Sequence, residues 1–170
     1  MKIAIISDTH DNLTTLKKAI AWMNKNDIEE IIHCGDVCSP ETLYELSKMF
    51  AGKIHVVFGN VDEDILDAGQ ETIAELPNVK LYGKTGELIL SNKKIAFVHM
   101  PEIAKQLAAS KKFDLVFCGH THKPWEEKIG VCRLINPGNL SNLIHKASFA
   151  VFDLESDKLE LKILEQFYNE

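Results

Sequence analysis

Short apolar runs that each lead into a potential metal ligand recur along this chain, and this pattern restricts its fold more than any other feature. The runs are IAIIS before Asp8-Thr9-His10, IIHC before Gly35-Asp36, HVVF before Gly59-Asn60-Val61-Asp62, IAFV before His99, and DLVFC before Gly119-His120-Thr121-His122. Runs of this length, rich in β-branched residues, are typical of buried strands. In open α/β sheets ligands bind beyond the carboxyl ends of the strands, so we expect the ends of five strands to meet at one site.

The first half of the chain alternates short apolar runs with longer amphipathic ones. We predict strands over residues 2–7, 29–34 and 53–58. Asn12 and Ser39-Pro40 are typical helix starts, and a third helical stretch is expected over residues 62–75. Strands joined through helices in this way form a parallel sheet with right-handed crossovers.

The second half has a different rhythm. Extended segments are expected near 78–82, 86–90 and 93–99, followed by a helix near 101–111 and a strand at 113–118. Later segments, at 125–135, 147–153 and 157–166, lack a helical pattern and are expected to be antiparallel. The sequence therefore predicts an α/β fold with a two-sheet β-sandwich core flanked by helices, and a single domain over residues 1–170.

Composition excludes several classes of function. The net charge is −6, and the cationic residues are eighteen lysines and the single Arg133. The sequence has no stripe of basic residues, which a nucleic-acid-binding surface would need. No apolar run approaches the roughly 20 residues that span a bilayer. The opening MKIAIISDTHDN is typical of a strand rather than a signal peptide, so we expect a cytoplasmic protein.

The four cysteines lack the paired spacing of a zinc knuckle. They are Cys34, Cys38, Cys118 and Cys132. We expect buried, reduced thiols that pack as small apolar groups, rather than disulfides or metal ligands.

The residues after the runs have a chemistry of their own. Two aspartates, one asparagine and four histidines gathered in one place need a cation between them, because buried charges are costly unless paired. Mixed nitrogen and oxygen ligands without thiolate suit Mn²⁺, Fe, Zn²⁺, Ni²⁺ or Co²⁺. Seven ligands exceed the needs of one ion and suit two ions about 3.5–4 Å apart that share a carboxylate.

The same blocks resemble the calcineurin-like metallophosphoesterases, most closely their small MJ0936/YfcE-type phosphodiesterase branch, to which the retromer subunit Vps29 is related. That family carries D-x-H, G-D, G-N-x-[DE], a lone histidine and G-H-x-H, and this chain has each block in that order. INPGN at 135–139 matches a further block that usually ends in serine. The resemblance covers the whole chain and implies the four-layer metallophosphoesterase fold.

The resemblance also implies a role for individual residues. It places Asp8, His10 and His122 on a first metal ion, Asn60, His99 and His120 on a second, and Asp36 between the two. It implies that Asp36, Asn60, His99 and Asp62 take part in catalysis, with Asp62 orienting a histidine. The implied cofactor is a pair of divalent ions, with Mn²⁺ favoured and Ni²⁺, Zn²⁺, Fe²⁺, Co²⁺ and Mg²⁺ as alternatives.

The expected reaction is hydrolysis of a small phosphate ester, most simply a phosphodiester, by a hydroxide that bridges the two ions. Larger relatives carry a histidine after the G-N pair as a general acid, whereas this chain has Val61. Alternatives are a phosphomonoesterase or nucleotide pyrophosphohydrolase on the same site, and a Vps29-like binding scaffold. Small members of the family also form dimers or tetramers, which remains an alternative to a monomer here.

Some residues depart from the family pattern or lie outside it. Met100 and Asp11 stand where relatives often have glycine, so either could alter the site entrance. His33, His55 and His145 match no motif position, and we expect structural roles for them.

Overall fold

The computed structural model describes residues 1–64, 73 and 75–168. The strands in this part of the chain are β1 (Lys2–Ile6), β2 (Glu30–His33), β3 (Lys53–Val56), β4 (Val79–Leu81), β5 (Thr85–Leu90), β6 (Lys93–Val98), β7 (Leu115–Phe117), β8 (Trp125–Ile129), β9 (Cys132–Asn136), β10 (Ser148–Asp153) and β11 (Lys158–Ile163). Helices include α1 (Leu13–Lys25), α2 (Pro40–Met49) and α3 (Pro101–Ala109), and a 3-10 helix follows at Leu164–Tyr168.

Two sheets form the centre of the fold. The six-stranded sheet has the order β11-β10-β1-β2-β3-β4, and its strands β1 to β4 run parallel. The five-stranded sheet has the order β5-β6-β7-β9-β8, with β6, β7 and β9 parallel. Consequently β1, β2 and β3 of one sheet and β6 and β7 of the other are the strands that lead into the predicted ligand blocks.

Apolar side chains divide into three layers of core. One cluster packs the six-stranded sheet against α1 and α2, and includes Leu16, Ile20 and Leu43. A second fills the space between the sheets, and a third packs the five-stranded sheet against α3. Because successive residues of a strand face opposite sides, β1 supplies Ile5 to the central cluster and Ile6 to the helix-facing one. The predicted two-sheet α/β sandwich with helices outside is confirmed.

The predicted helix starts are also confirmed. The Asn12 side chain accepts a hydrogen bond from the Thr15 N–H, and the Ser39 side chain accepts one from the Thr42 N–H, with Pro40 in the first turn. Each cap satisfies an N–H group that has no partner inside the helix. The two helices thereby begin directly after the loops that carry His10 and Asp36.

Several elements differ from the sequence-based expectation. The segment at 125–135 is a hairpin of β8 and β9 around Gly130, and β9 also pairs in parallel with β7. The last expected strand ends at Ile163, where the 3-10 helix begins. Residues 65–72 and 74, and with them most of the helix expected over 62–75, lie outside the described residues. Among the described residues, none of the helices has the length and apolarity needed to cross a bilayer.

Candidate metal centre

The ends of five strands bring the seven predicted ligands to one edge of the sandwich. Strands β1, β2 and β3 lead to Asp8 and His10, to Asp36 and to Asn60, while β6 and β7 lead to His99 and to His120 and His122. The six-stranded sheet therefore supplies four of these side chains and the five-stranded sheet supplies three. Each half of the sandwich alone would leave the ligand set incomplete.

Five of these seven residues have left-handed backbone conformations. Positive φ angles occur at Asp8 (53°), His10 (41°), Asp36 (58°), His120 (70°) and His122 (57°). Aspartate, asparagine and histidine tolerate this region better than other non-glycine residues, but each still costs about 1–2 kcal/mol. Such conformations persist where the surrounding structure enforces them, and they cluster at functional sites.

The first group of ligand atoms comprises Asp8, His10 and His122. His10 Nε2 lies 3.3 Å from His122 Nε2, and Asp8 Oδ1 lies 3.4 Å from His122 Nε2 and 4.0 Å from His10 Nε2. Asp8 is fully buried, and its Oδ1 has no hydrogen-bond partner among the described residues. A buried carboxylate oxygen of this kind requires a cation or a donor.

The second group comprises Asp36, His99 and His120, with Asn60 beside them. His99 Nε2 lies 3.2 Å from His120 Nδ1, and Asn60 Oδ1 lies 3.0 Å and 3.1 Å from these two nitrogens. Asp36 Oδ2 is 3.4 Å from His99 Nε2. Ligands about 2.1 Å from one ion are about 3.0–3.4 Å apart in octahedral or tetrahedral geometry, so these separations fit a metal ion.

Asp36 connects the two groups. Its Oδ2 lies 3.6 Å from His10 Nε2 of the first group and 3.4 Å from His99 Nε2 of the second. Asp8 Oδ2 also accepts the backbone N–H of His120 at 3.1 Å, but the imidazole nitrogens that Asp8 approaches belong to His10 and His122 of the first group. Asp36 therefore has the position of a carboxylate shared by two ions.

Three of the four histidines have a polar group beside their second ring nitrogen. His99 Nδ1 donates to the Cys34 carbonyl at 2.8 Å, which leaves the Nε2 lone pair facing the site. Cys38 Sγ is 3.3 Å from His10 Nδ1, and Ser141 Oγ is 3.5 Å from His122 Nδ1.

The sequence-based reasoning missed these three partners. Only Ser141 carried a signal, since it lies two residues after the INPGN block. The expectation of buried thiols holds for Cys34, Cys118 and Cys132, whereas Cys38 is half-buried beside its histidine; all four are free.

Asp62 ties together the loops that follow β2 and β3. Its buried carboxylate accepts four backbone hydrogen bonds, from the N–H groups of Asp36 (2.7 Å), Val37 (2.8 Å), Cys38 (2.9 Å) and Gly59 (2.8 Å). The resemblance implies that Asp62 orients a histidine, but both of its carboxylate oxygens accept hydrogen bonds from main-chain N–H groups instead. Asp62 holds the backbone on which Asp36 is mounted.

The pKa values of the two buried aspartates, Asp8 and Asp36, are shifted in opposite directions. Burial raises the pKa of Asp8 above its ordinary value, more than the hydrogen bond from Ser7 and the charges of His99 and His122 lower it. For Asp36 burial acts in the same direction, but the hydrogen bond and charge of His99, the hydrogen bond from the Val61 N–H and the charge of His10 together lower the pKa below its ordinary value. Asp8 is thus the carboxylate that would gain most from a nearby cation.

Glycines permit this dense arrangement for two different reasons. Gly35 has φ +93°, as expected for a sharp turn after β2. Gly59 does not have a positive φ. Glycine is needed there because a Cβ would collide with the carboxylate and the backbone nitrogen of Asp36. The sequence predicts a sharp backbone turn at Gly35, Gly59 and Gly119; the left-handed φ bears this out at Gly35, whereas Gly59 and Gly119 are needed for close approach, to Asp36 and to Ser7 respectively.

Residues around the entrance are varied in chemistry. Val61 has a 38% exposed side chain, and Met100 is half-buried at the start of α3. The Asp11 carboxylate accepts hydrogen bonds from Ser39 and Thr42, both at 2.6 Å, and so connects the β1 loop to α2. Asp11 therefore has a structural use that the sequence did not indicate.

The remaining histidines are not members of either ligand group. His33 is buried, with Nε2 3.1 Å from Thr9 Oγ1 and Nδ1 accepting the Gly35 N–H at 3.2 Å. His55 lies between Glu30 (2.7 Å) and the Tyr82 hydroxyl (3.0 Å). The predicted structural roles of these two are confirmed, and His145 is exposed.

An α/β sandwich that gathers two nitrogen and oxygen ligand groups around a shared carboxylate is typical of enzymes that transfer phosphoryl groups with metal ions. Residues 1–157 match the calcineurin-like phosphoesterase superfamily domain. The chain therefore belongs to the calcineurin-like phosphoesterase superfamily, and the resemblance and enzyme class predicted from its sequence are confirmed. The family implies divalent metal cofactors.

Individual relatives agree with this assignment. Phosphodiesterase MJ0936 of Methanocaldococcus jannaschii is 29% identical over 179 aligned residues, which cover 97% of this chain and 100% of that protein. A solved archaeal phosphodiesterase has a TM-score of 0.88 at 26% identity, over 96% of this chain and 99% of the other. Vps29 of Entamoeba histolytica, solved with Zn²⁺, shares the fold with a TM-score of 0.65 at 19% identity, over 96% and 99% of the two chains.

Proposed function

We propose that this protein hydrolyses phosphodiesters with two divalent metal ions. The observation that carries the proposal is the position of Asp36 Oδ2, within 3.6 Å of a histidine in each ligand group. The proposed ligands are Asp8, His10 and His122 for one ion, Asn60, His99 and His120 for the other, and Asp36 for both.

The side chains would supply a rigid, preorganised site. When bound, the two ions would neutralise phosphate oxygens and lower the pKa of water to about 7, which provides a hydroxide nucleophile near neutral pH. Asp36 and Asp8 would offset part of the ionic charge, and Asp62 would keep the Asp36 loop in place. Preorganised charge of this kind is usually the largest contribution to catalysis.

Three observations favour a diester over a monoester. Val61, at the position after Asn60, cannot donate a proton to a leaving group, and general acid catalysis is worth about 10²–10⁴-fold. Arg133, the single arginine, pairs with Glu126 at 2.6 Å and with Asp157 at 3.4 Å, so it is engaged outside the metal centre. A diester carries less negative charge than a monoester dianion, and needs less cationic support. The relative from M. jannaschii, named a phosphodiesterase, supports the same choice.

Further features belong to the same proposal. Mn²⁺ is the metal we propose among those that imidazole, carboxylate and amide donors without thiolate suit, a set that also includes Fe, Zn²⁺, Ni²⁺ and Co²⁺. Residues 1–170 would act as a single domain on a small phosphate ester. A cytoplasmic location and a dimer or tetramer remain predictions from the sequence.

The test is hydrolysis of bis-p-nitrophenyl phosphate by metal-stripped protein to which Mn²⁺, Ni²⁺, Zn²⁺ or Mg²⁺ is restored. We expect activity to return with metal and to fall at least about 100-fold in Asp36→Asn, because the shared carboxylate is lost. Asp64→Asn makes the same chemical change at an exposed aspartate outside the ligand groups, so it is the matched control and should retain activity.

Metal content separates the outcomes of this test. Two ions per chain with turnover supports the proposal. Two ions per chain without turnover on any diester or monoester would favour a binding scaffold of the Vps29 kind. No bound ion at all would refute the ligand assignment.

A further inference from the structure

The loop between β9 and β10 is attached to the first ligand group. Ser141 Oγ lies 3.5 Å from His122 Nδ1. The Asn139 side-chain amide donates to the His122 carbonyl at 3.0 Å and to the His145 carbonyl at 3.2 Å. Both ends of residues 141–145 are therefore connected to His122, either directly or through Asn139.

Further hydrogen bonds fix the conformation of this loop. Asn139 Oδ1 accepts from Ser141 Oγ and from the Asn142 N–H, both at 2.8 Å. Asn142 Oδ1 accepts from the Ala147 N–H at 3.1 Å, and the Ser141 carbonyl accepts from the Asn12 side chain at 2.8 Å. Hydrogen bonds thus fix the backbone of the loop on both sides of its tip, residues 143 and 144.

The tip carries two adjacent aliphatic side chains that face solvent. Leu143 is 71% exposed and Ile144 is 73% exposed. Two residues span at most about 7 Å, so the Leu143 Cα lies within about 7 Å of the Ser141 Cα. Neither Leu143 nor Ile144 packs in any of the three core clusters. Their exposed apolar surface therefore does not contribute to the stability of the fold.

We propose that Leu143 and Ile144 are specificity-determining residues that contact an aromatic or bulky aliphatic ester group of the substrate. This inference rests on the proposed phosphodiesterase function. A diester presents its non-bridging oxygens to the metal centre, while its ester groups extend outward. The ligand side chains offer those groups no apolar contact. Among the apolar residues near the entrance Val61 is 38% exposed and Met100 is half-buried, whereas Leu143 and Ile144 present most of their surface to solvent. The substrate class is therefore a phosphodiester with at least one apolar substituent.

The experiment varies the ester group that does not leave. Phenyl p-nitrophenyl phosphate and methyl p-nitrophenyl phosphate share a leaving group, so their ratio of kcat/KM reports contact with the other group. In the double variant Leu143→Ser/Ile144→Ser this phenyl-to-methyl ratio should fall about fivefold, mainly through KM, which corresponds to about 1 kcal/mol. The methyl ester should be hydrolysed as by the unsubstituted protein.

Val131→Ser is the matched control. Val131 is 78% exposed and precedes β9, at the opposite end of that strand from the metal centre, so its substitution should leave the ratio unchanged. Calorimetric binding of diphenylphosphinate and dimethylphosphinate to the Mn²⁺-loaded protein provides a second readout, because phosphinates contain no ester bond to hydrolyse. The diphenyl preference should fall by a similar factor in the double variant.

An unchanged ratio in both readouts would overturn the inference, as would an equal loss with both ester groups. A smaller mass by light scattering with an unchanged ratio would instead identify the pair as a contact between copies of this chain. If the unsubstituted protein hydrolyses neither ester with any metal, the proposed function fails. The phosphinate preference would still decide whether the loop binds apolar groups.

Discussion

Replacing Asp62 with asparagine preserves the size of the side chain and removes half of its acceptors. Asp62 Oδ1 accepts from the Val37 and Cys38 N–H groups, and Oδ2 accepts from those of Asp36 and Gly59. An asparagine has one carbonyl oxygen, so its NH₂ group would face two main-chain donors. Whichever way the amide is turned, two buried N–H groups lose their acceptor.

The size of the effect follows from these bonds. A buried donor left without a partner costs about 1–3 kcal/mol, so two of them at about 1.5 kcal/mol each cost about 3 kcal/mol. For a protein of this length that lowers Tm by about 6–12 °C. Metal affinity should fall about 10–100-fold, the usual effect of losing a group that orients a ligand, since Asp36 is mounted on the loosened loop.

Two measurements separate these effects. Urea unfolding of metal-stripped Asp62→Asn reports the free energy of unfolding, and calorimetric titration with Mn²⁺ reports affinity. Asp64→Asn is the matched control, because this carboxylate is exposed and two residues away. A variant that unfolds within about 0.5 kcal/mol of the unsubstituted protein and binds Mn²⁺ equally well would refute the reasoning.

Two further predictions concern a buried histidine and a crowded glycine. Burial lowers the pKa of His33 to about 3, so its folded-state neutrality contributes stability above about pH 6.5 that is lost as the pH falls. Between pH 7.5 and 4.5 the unsubstituted protein should lose about 2.5 kcal/mol more unfolding free energy than His33→Gln in urea titrations; parallel curves would contradict this. Gly59→Ala should displace Asp36 and reduce bound metal by at least one ion per chain in elemental analysis. Gly83→Ala, at φ +69° with no described atom within 4 Å of a Cβ, should cost about 1 kcal/mol and retain full metal content.

The ligand blocks were predictable because each follows a strand. Strands β1, β2 and β3 have short apolar sequences and parallel pairing, which places Asp8, Asp36 and Asn60 at the same edge. Residue type and order are sufficient for that inference, since parallel strands share a direction. The two-sheet fold was predictable for the same reason.

Contacts between loops were not predictable from the sequence. The donors that Asp62 accepts from are main-chain N–H groups, and every residue except proline carries one, so no residue pattern identifies them. Left-handed backbone at His10 and His122 also leaves no sequence signal, because histidine adopts either sign of φ. The partial exposure of Cys38 depends on the loop that Asp62 fixes, so it could not be predicted from the sequence either.

Each ligand group takes side chains from both sheets, and this has a consequence for stability. An ion bound by Asp8 and His122, or by Asp36 and His99, would cross-link the two halves of the sandwich as a disulfide joins two strands. Linkage is reciprocal: at a free concentration of 1,000 times Kd, each ion would add about 4 kcal/mol to the free energy of unfolding. Packing of Phe117 against Phe152 between the sheets, with ring centroids 6.5 Å apart, would in turn help to set metal affinity from the interior of the protein.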